Sequence, residues 1–163
     1  MLEGVLFGGV VGGSEGVRFD DTVSSNGRIA RLTWREGSWM DAFSFEEVDR
    51  AGGLTKHHVW GRNGGTGYII PADPKDILDD WTYLNGIYVE WGRYVDYIEL
   101  YLWNRSAGRP QETLRLGKSK AHLRNRKLYF DPNAGDNREI CGFAACSDDY
   151  LNAIGIYVRE HRP

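Results

Sequence analysis

Three short loops carry chemically similar residues at one spacing: Gly37-Ser38-Trp39-Met40-Asp41, Gly92-Arg93-Tyr94-Val95-Asp96 and Asp148-Asp149-Tyr150-Leu151-Asn152. In the first two, a glycine frees the backbone to turn, so that successive N–H groups point into a small concavity. An aspartate then closes the loop at the start of the next segment. Backbone donors beside a fixed carboxylate suit a polyhydroxylated ligand, because adjacent hydroxyls need both a donor and an acceptor. A carboxylate that accepts two hydroxyls makes charge-assisted bonds, stronger than neutral ones. The third copy ends in Asn152, whose carboxamide has one acceptor oxygen and a donor amide, so it cannot accept two hydroxyls as Asp41 or Asp96 can. Gly and Asp also make plain turns, and a duplicated fold duplicates its turns.

The elements around the loops repeat with them. Gly37, Gly92 and Asp148 are 55 and 56 residues apart, and Asp41, Asp96 and Asn152 keep that spacing. Each loop follows a comparable stretch (IARLTWRE, LNGIYVEW, ICGFAACS) and precedes an alternating one (AFSFEE, YIELYLW, AIGIYV). Ile98, Leu100 and Leu102 fall on one face with Tyr97, Glu99 and Tyr101 on the other, and Ile154, Ile156 and Val158 behave alike, as strands require. The unit is therefore a hairpin: a strand, a five-residue connection and a second strand. Only ADPKDILDDW has a helix-start signal, with Asp73 as N-cap and Pro74 at the first helical position, and its shortness reads as a loop or single turn. Three units of roughly 55 residues imply pseudo-threefold symmetry. A β-trefoil would repeat a Gln-x-Trp element, and the sequence has none. The expectation is an all-β chain, a type I β-prism of three four-stranded sheets in a single domain over 1–163.

Composition excludes several classes. The 163 residues are 41% hydrophobic, enough to build a core. A net charge of −3 argues against a general nucleic-acid or anionic-membrane binder, which recruits with basic surplus. The run Arg124 to Lys127 reads as a solvated strand end. No apolar segment reaches the length of a membrane span, and Met1 leads into glycine-rich sequence rather than a signal peptide. Cys141 and Cys146 lie on one expected strand facing opposite sides, so two free thiols are expected, in a cytoplasmic protein or one exported without the usual leader. The sequon Asn104-Arg105-Ser106 is read as chance.

Other chemistries fit less well. The clusters GGSEGVRFDD and GRNGGTGYII lack the Gly-Lys-Ser/Thr of a phosphate loop and lead into no convincing helix. His57 and His58 would face opposite sides of a strand, which favours a structural role over a metal site, so no metal or cofactor is expected. Glu46-Glu47 and Asp79-Asp80 could be imagined as glycosidase carboxylates, but hydrolysis needs two acids facing each other across a bond, and adjacent acids read as solvated surface. Trp39 and Tyr94 share one loop position, where an aromatic ring either stacks on a sugar's apolar face or packs on the neighbouring turn.

GGSEGVRFDD, the later NGGTG and YLNAIGIYV, occurring together and in order, resemble the jacalin-related lectins, which form the type I β-prism. The likeness runs from about Phe7 to Val158, and the segments Leu54 to His58 and Arg109 to Asn137 match poorly. It implies a monosaccharide held between a Gly-rich loop and a Gly-x-x-x-Asp loop. Carried over, the family's usual site uses Gly16 with Asp149, Tyr150 and Asn152, but here Asp148 replaces the glycine and Asn152 the carboxylate. A second site uses Gly65 with Ser38, Trp39 and Asp41. A third uses Arg93, Tyr94 and Asp96, with Gly117 as its glycine-loop partner.

The resemblance implies a non-enzymatic, carbohydrate-binding lectin whose partners are mannose- or glucose-containing glycans or glycoproteins, with assembly into a homo-oligomer left open. The family's galactose-preferring branch depends on a proteolytically freed N-terminal glycine, whereas Gly16 lies inside an intact chain. Single-sugar affinity should be on the order of millimolar, with multivalency adding roughly 10² to 10⁴. Two other classes stay open. One is a β-prism protein-interaction or targeting module, for example of a toxin, with lost or weak sugar binding. The other is a glycan-processing enzyme.

Overall fold

The structure is a computed structural model that describes residues 2–73, 75–120, 125–130 and 137–161. Thirteen strands and no helix make up the described residues. The chain opens with β1 (Val5–Gly12) and β2 (Val17–Thr22). Then come the hairpin β3 (Arg28–Glu36) and β4 (Met40–Val48), the short β5 (Leu54–Lys56) and β6 (Trp60–Gly61), and β7 (Thr66–Ile70). A second hairpin, β8 (Thr82–Trp91) and β9 (Val95–Asn104), leads to β10 (Arg109–Gly117) and β11 (Asn125–Tyr129). The last hairpin is β12 (Arg138–Ser147) and β13 (Leu151–Glu160).

Each hairpin is the centre of one antiparallel sheet, in the orders β5-β4-β3-β7, β10-β9-β8-β11 and β1-β13-β12-β2. The third sheet closes the molecule, because its outer strands come from the N-terminus and its hairpin from the C-terminus. This is the β-prism expected from the repeat. In the first sheet the strand outside β4 is interrupted: β5 and β6 both pair with β4, with 57–59 between them, so five segments fill four positions. The equivalent strands β1 and β10 are irregular too, with register shifts between Phe7 and Val11 and between Pro110 and Glu112. Pro74 and Arg124, which the sequence placed in a short turn and a basic strand end, lie outside the described residues.

The alternating residues do what their period requires. Leu32, Phe43, Ile98, Leu100, Phe143, Ile154 and Ile156 are fully buried and belong to one core shared by all three sheets. One corner of that core is aromatic: Trp60 lies against Phe43, Phe45 and Phe143, and its indole N–H donates to the Phe19 carbonyl at 3.1 Å. That bond ties the interrupted strand to β2 of the neighbouring sheet. Complete burial of such rings is worth roughly 1.5–3 kcal/mol each, which is why three sheets with little surface apiece cohere.

His57 joins the same two sheets. Its Nδ1 lies 2.8 Å from Asp21 Oδ1 and its Nε2 2.7 Å from Glu47 Oε1, and the ring stacks on Phe45. Glu47 also accepts from the backbone N–H and hydroxyl of Ser24, and Glu46 pairs with Arg31 at 3.1 Å. The expectation of Glu46-Glu47 as solvated surface is thus corrected: both acids are committed to pairing. Periodicity alone cannot reveal this, since the partners come from elsewhere in the sequence. Asp80, by contrast, is an exposed partner of Arg28. No cluster of three or more metal-ligating side chains occurs among the described residues.

Both cysteines are free, Cys141 buried and Cys146 partly so. Burial pushes the Cys141 thiol up to about 12, and thiolate is the reactive form. Titration with a thiol reagent in denaturant without reductant should therefore find two thiols per chain. In the native protein near pH 8 Cys141 should stay unmodified; its labelling at the denatured rate would contradict the packing of β12.

Candidate functional site

The three hairpin loops converge at one end of the prism. The connection in each is three residues long rather than five: Gly37 to Trp39, Gly92 to Tyr94 and Asp148 to Tyr150. In each the first N–H donates to the third carbonyl, at 3.0, 3.0 and 3.1 Å. Asp41, Asp96 and Asn152 therefore lie inside the following strands. In all three the register slips at that residue: Arg35 pairs with Ala42 and Glu36 with Met40, Glu90 with Tyr97 and Trp91 with Val95, Cys146 with Ala153 and Ser147 with Leu151. The unpaired residue is each time the acid or amide. A bulge re-aims its side chain, and here it leaves the carbonyl free for a neighbouring strand.

That carbonyl organises the glycine loops. Gly12, Gly61 and Gly117 have φ of +129°, +95° and +82°, and a side chain at any of them would collide with the carbonyl of Asn152, Asp41 and Asp96 respectively. The following N–H, of Gly13, Arg62 and Lys118, donates to that same carbonyl at 2.8, 3.0 and 3.1 Å. Gly117 is therefore the counterpart of Gly12 and Gly61, not of Gly16 and Gly65, and its role as glycine partner of Asp96 is corrected.

The surroundings of the three side chains differ. Asp41 is buried, and its Oδ2 has no hydrogen-bond partner among the described residues. Glycines cradle it: a Cβ on Gly37, Gly64 or Gly65 would come within 3.0, 2.7 and 2.6 Å of the carboxylate. Arg35 holds this cradle from behind, donating to the carbonyls of Gly64 and Gly65 at 2.8 and 2.9 Å. The N–H groups of Ser38, Trp39 and Gly65 make no hydrogen bond within the described residues. Burial pushes the Asp41 carboxyl above its ordinary value, and the charge of Arg35 offsets this only in part. A desolvated acceptor facing unused N–H donors is the arrangement that a polyol completes.

Asp96 is already paired. Its side chain is 3% exposed, and Lys120 Nζ lies 2.7 Å from its Oδ1. At the third loop Asn152, fully buried, donates its amide to the Glu15 carbonyl at 2.9 Å. Asp148 Oδ1 accepts from the Tyr150 N–H at 3.2 Å, occupying a donor that the sugar-site reading needs. Asp149 pairs with Arg62 at 2.7 Å. Gly16 packs on Asn152, where a Cβ would come 2.7 Å from the amide nitrogen. Arg93 reaches Glu15 at 3.6 Å and lies over the Tyr94 ring. Of the three loops, the Asp41 loop alone keeps its closing side chain without a charged or carbonyl partner among the described residues.

Trp39, Tyr94 and Tyr150, the third residue of each loop, meet where the loops converge, with ring centroids 4.8–5.2 Å apart. For Trp39 and Tyr94 the packing alternative is thus present. Sequence reading missed Tyr150 as their third member, although its position 56 residues after Tyr94, as Tyr94 lies 55 after Trp39, was available. Lys120, Arg35 and Gly64 were missed as well, and no spacing signal marks them.

The sequence profile of the jacalin-like lectin domain matches residues 8–157. No curated protein sequence matches the chain. Among solved structures, a Malaysian banana lectin superposes with a TM-score of 0.69 at 20% identity, covering 93% of this chain and 96% of that one. The Calystegia sepium agglutinin gives a TM-score of 0.70 at 19% identity over 98% and 99% of the two chains. A mannose-binding jacalin-related lectin from Ananas comosus gives 0.66 at 22% over 93% and 95%.

Proposed function

Since the chain belongs to the jacalin-like lectin family, a carbohydrate-binding class, we propose that it is a non-catalytic lectin that holds a mannose- or glucose-type hexose at the Asp41 loop. The carrying observation is the buried Asp41 carboxylate, unpartnered at Oδ2 and enclosed by Gly37, Gly64 and Gly65. In this reading two adjacent sugar hydroxyls donate to Asp41, while the N–H groups of Ser38, Trp39 and Gly65 donate to sugar oxygens. The glycines admit the ring because no Cβ stands between backbone and ligand. The mannose-binding similarity supports the hexose class.

The Asp96 carboxylate is paired with Lys120, and the Asn152 amide with the Glu15 carbonyl, which leaves Asn152 Oδ1 as a single open acceptor that cannot take two hydroxyls; neither loop is a sugar site in this proposal. Titration calorimetry with mannose, glucose and galactose tests it. One site per chain with an affinity on the order of millimolar for mannose or glucose is expected; a preference for galactose, or no binding, defeats the reading.

The site should also be sensitive to acid. The carboxylate, not the acid, accepts two hydroxyls, and burial raises the Asp41 pKa. Binding is therefore present above that raised pKa and lost as pH falls through it, at a higher pH than for an ordinary carboxylate near 3.9. Mannose affinity measured downward from pH 7, with circular dichroism to verify folding, should show this loss. A pH-independent affinity down to pH 4 would remove Asp41 from the contact set.

A further inference from the structure

Lys120 stands between two loops. Its ammonium is 2.7 Å from Asp96 Oδ1 in the second hairpin and 5.2 Å from the centre of the Trp39 ring in the first. Trp39 also meets Tyr94 and Tyr150 edge-on, so Lys120 completes the enclosure of an indole whose own backbone N–H belongs to the Asp41 loop. The Asp96 side chain is 3% exposed and Lys120 29%, so the pair is shielded and its geometry held. A cation over an indole, fixed by a buried anion, restrains both the ring and the turn that carries it.

Resting on the hexose reading of the Asp41 loop, we infer that Asp96 and Lys120 are positioning residues for that site. They hold Trp39, and through it the Gly37–Trp39 turn, with its N–H groups aimed at ligand. The alternative is that Lys120 plugs a second sugar site at Asp96. The two readings part on what removing the Lys120 charge does: a plug would free a second site, whereas a positioning residue weakens the first.

Calorimetric titration of wild type, Lys120→Met and Lys120→Arg with mannose tests this. Lys120→Met keeps the length but removes the charge, and should lose roughly 3- to 10-fold in affinity with the stoichiometry still one. Lys120→Arg should restore most of it. In a Trp39→Leu background the Lys120→Met effect should vanish, because the cation then has no indole to hold. That non-additivity separates positioning from general destabilisation, and the Asp96→Asn/Lys120→Met pair, with both charges removed, serves if Lys120→Met folds poorly. Unchanged affinity in Lys120→Met, or a rise to two sites per chain, overturns the inference while leaving the Asp41 site intact. Absence of mannose binding by the wild type overturns both.

Discussion

Asp41→Ala is expected to abolish measurable mannose binding while leaving the protein at least as stable as the wild type. Losing hydrogen bonds to a charged group costs about 1.5–3 kcal/mol, roughly 10- to 150-fold in affinity. From a starting point on the order of millimolar, that puts binding beyond practical detection. The stability side follows from the same geometry. Among the described residues Asp41 has no ion-pair partner and its Oδ2 is unsatisfied, and burial raises its pKa. A carboxyl with a raised folded-state pKa destabilises the folded state as pH rises through the window between the unfolded and folded values, so its removal relieves a cost at neutral pH. Binding lost with thermal midpoint unchanged or raised is the expected signature. A variant that binds mannose like the wild type would end the site assignment, and a large fall in midpoint would make Asp41 structural.

Asp96→Ala should do the reverse, with its main effect on stability. Lys120 would lose its partner beside a largely buried surface. Breaking a buried pair by removing one member costs about 3–5 kcal/mol, and the partial exposure of Lys120 reduces this to about 2–3 kcal/mol. For a chain of this size that is a fall of roughly 4–12 °C in thermal midpoint. Mannose affinity should weaken only as far as Trp39 is released, and the Asp41 carboxylate should continue to bind. Thermal unfolding beside titration of the same preparation decides it: abolished binding with unchanged midpoint would make Asp96 a ligand residue after all. Asn152→Ala belongs with Asp96→Ala, since the amide of this fully buried residue ties the Gly12–Gly16 loop to β13 through the Glu15 carbonyl.

The contrast between these residues marks how far sequence reading reaches. Their spacing located all three loops, because a repeated hairpin keeps its turn at a fixed offset from its alternating strands. The identity of residue 152 distinguished the third loop, since one carboxamide cannot do the work of a carboxylate. Asp41 and Asp96, however, are the same residue at the same repeat position. Lys120 separates them, and its sequence distance from Asp96 differs in no visible way from that of many other lysines. Gly117 was misassigned for a related reason: the glycine loops vary in length and composition, and only the shared carbonyl contact shows that it corresponds to Gly61 rather than Gly65.

By itself the sequence determined the all-β class, the three hairpins and the pseudo-threefold prism, because period-2 alternation and turn chemistry are local properties repeated along the chain. It also determined which residue types stand at each loop. Tertiary structure alone decided which carboxylate stays open and which has been paired from within. It brought together Asp41 with Gly64 and Gly65, Asp96 with Lys120, and Asn152 with Glu15. The physical reason is that a buried polar group must find a partner. Whether that partner is another part of the chain or an external ligand depends on what long-range folding places within about 3 Å of it, which no local pattern encodes.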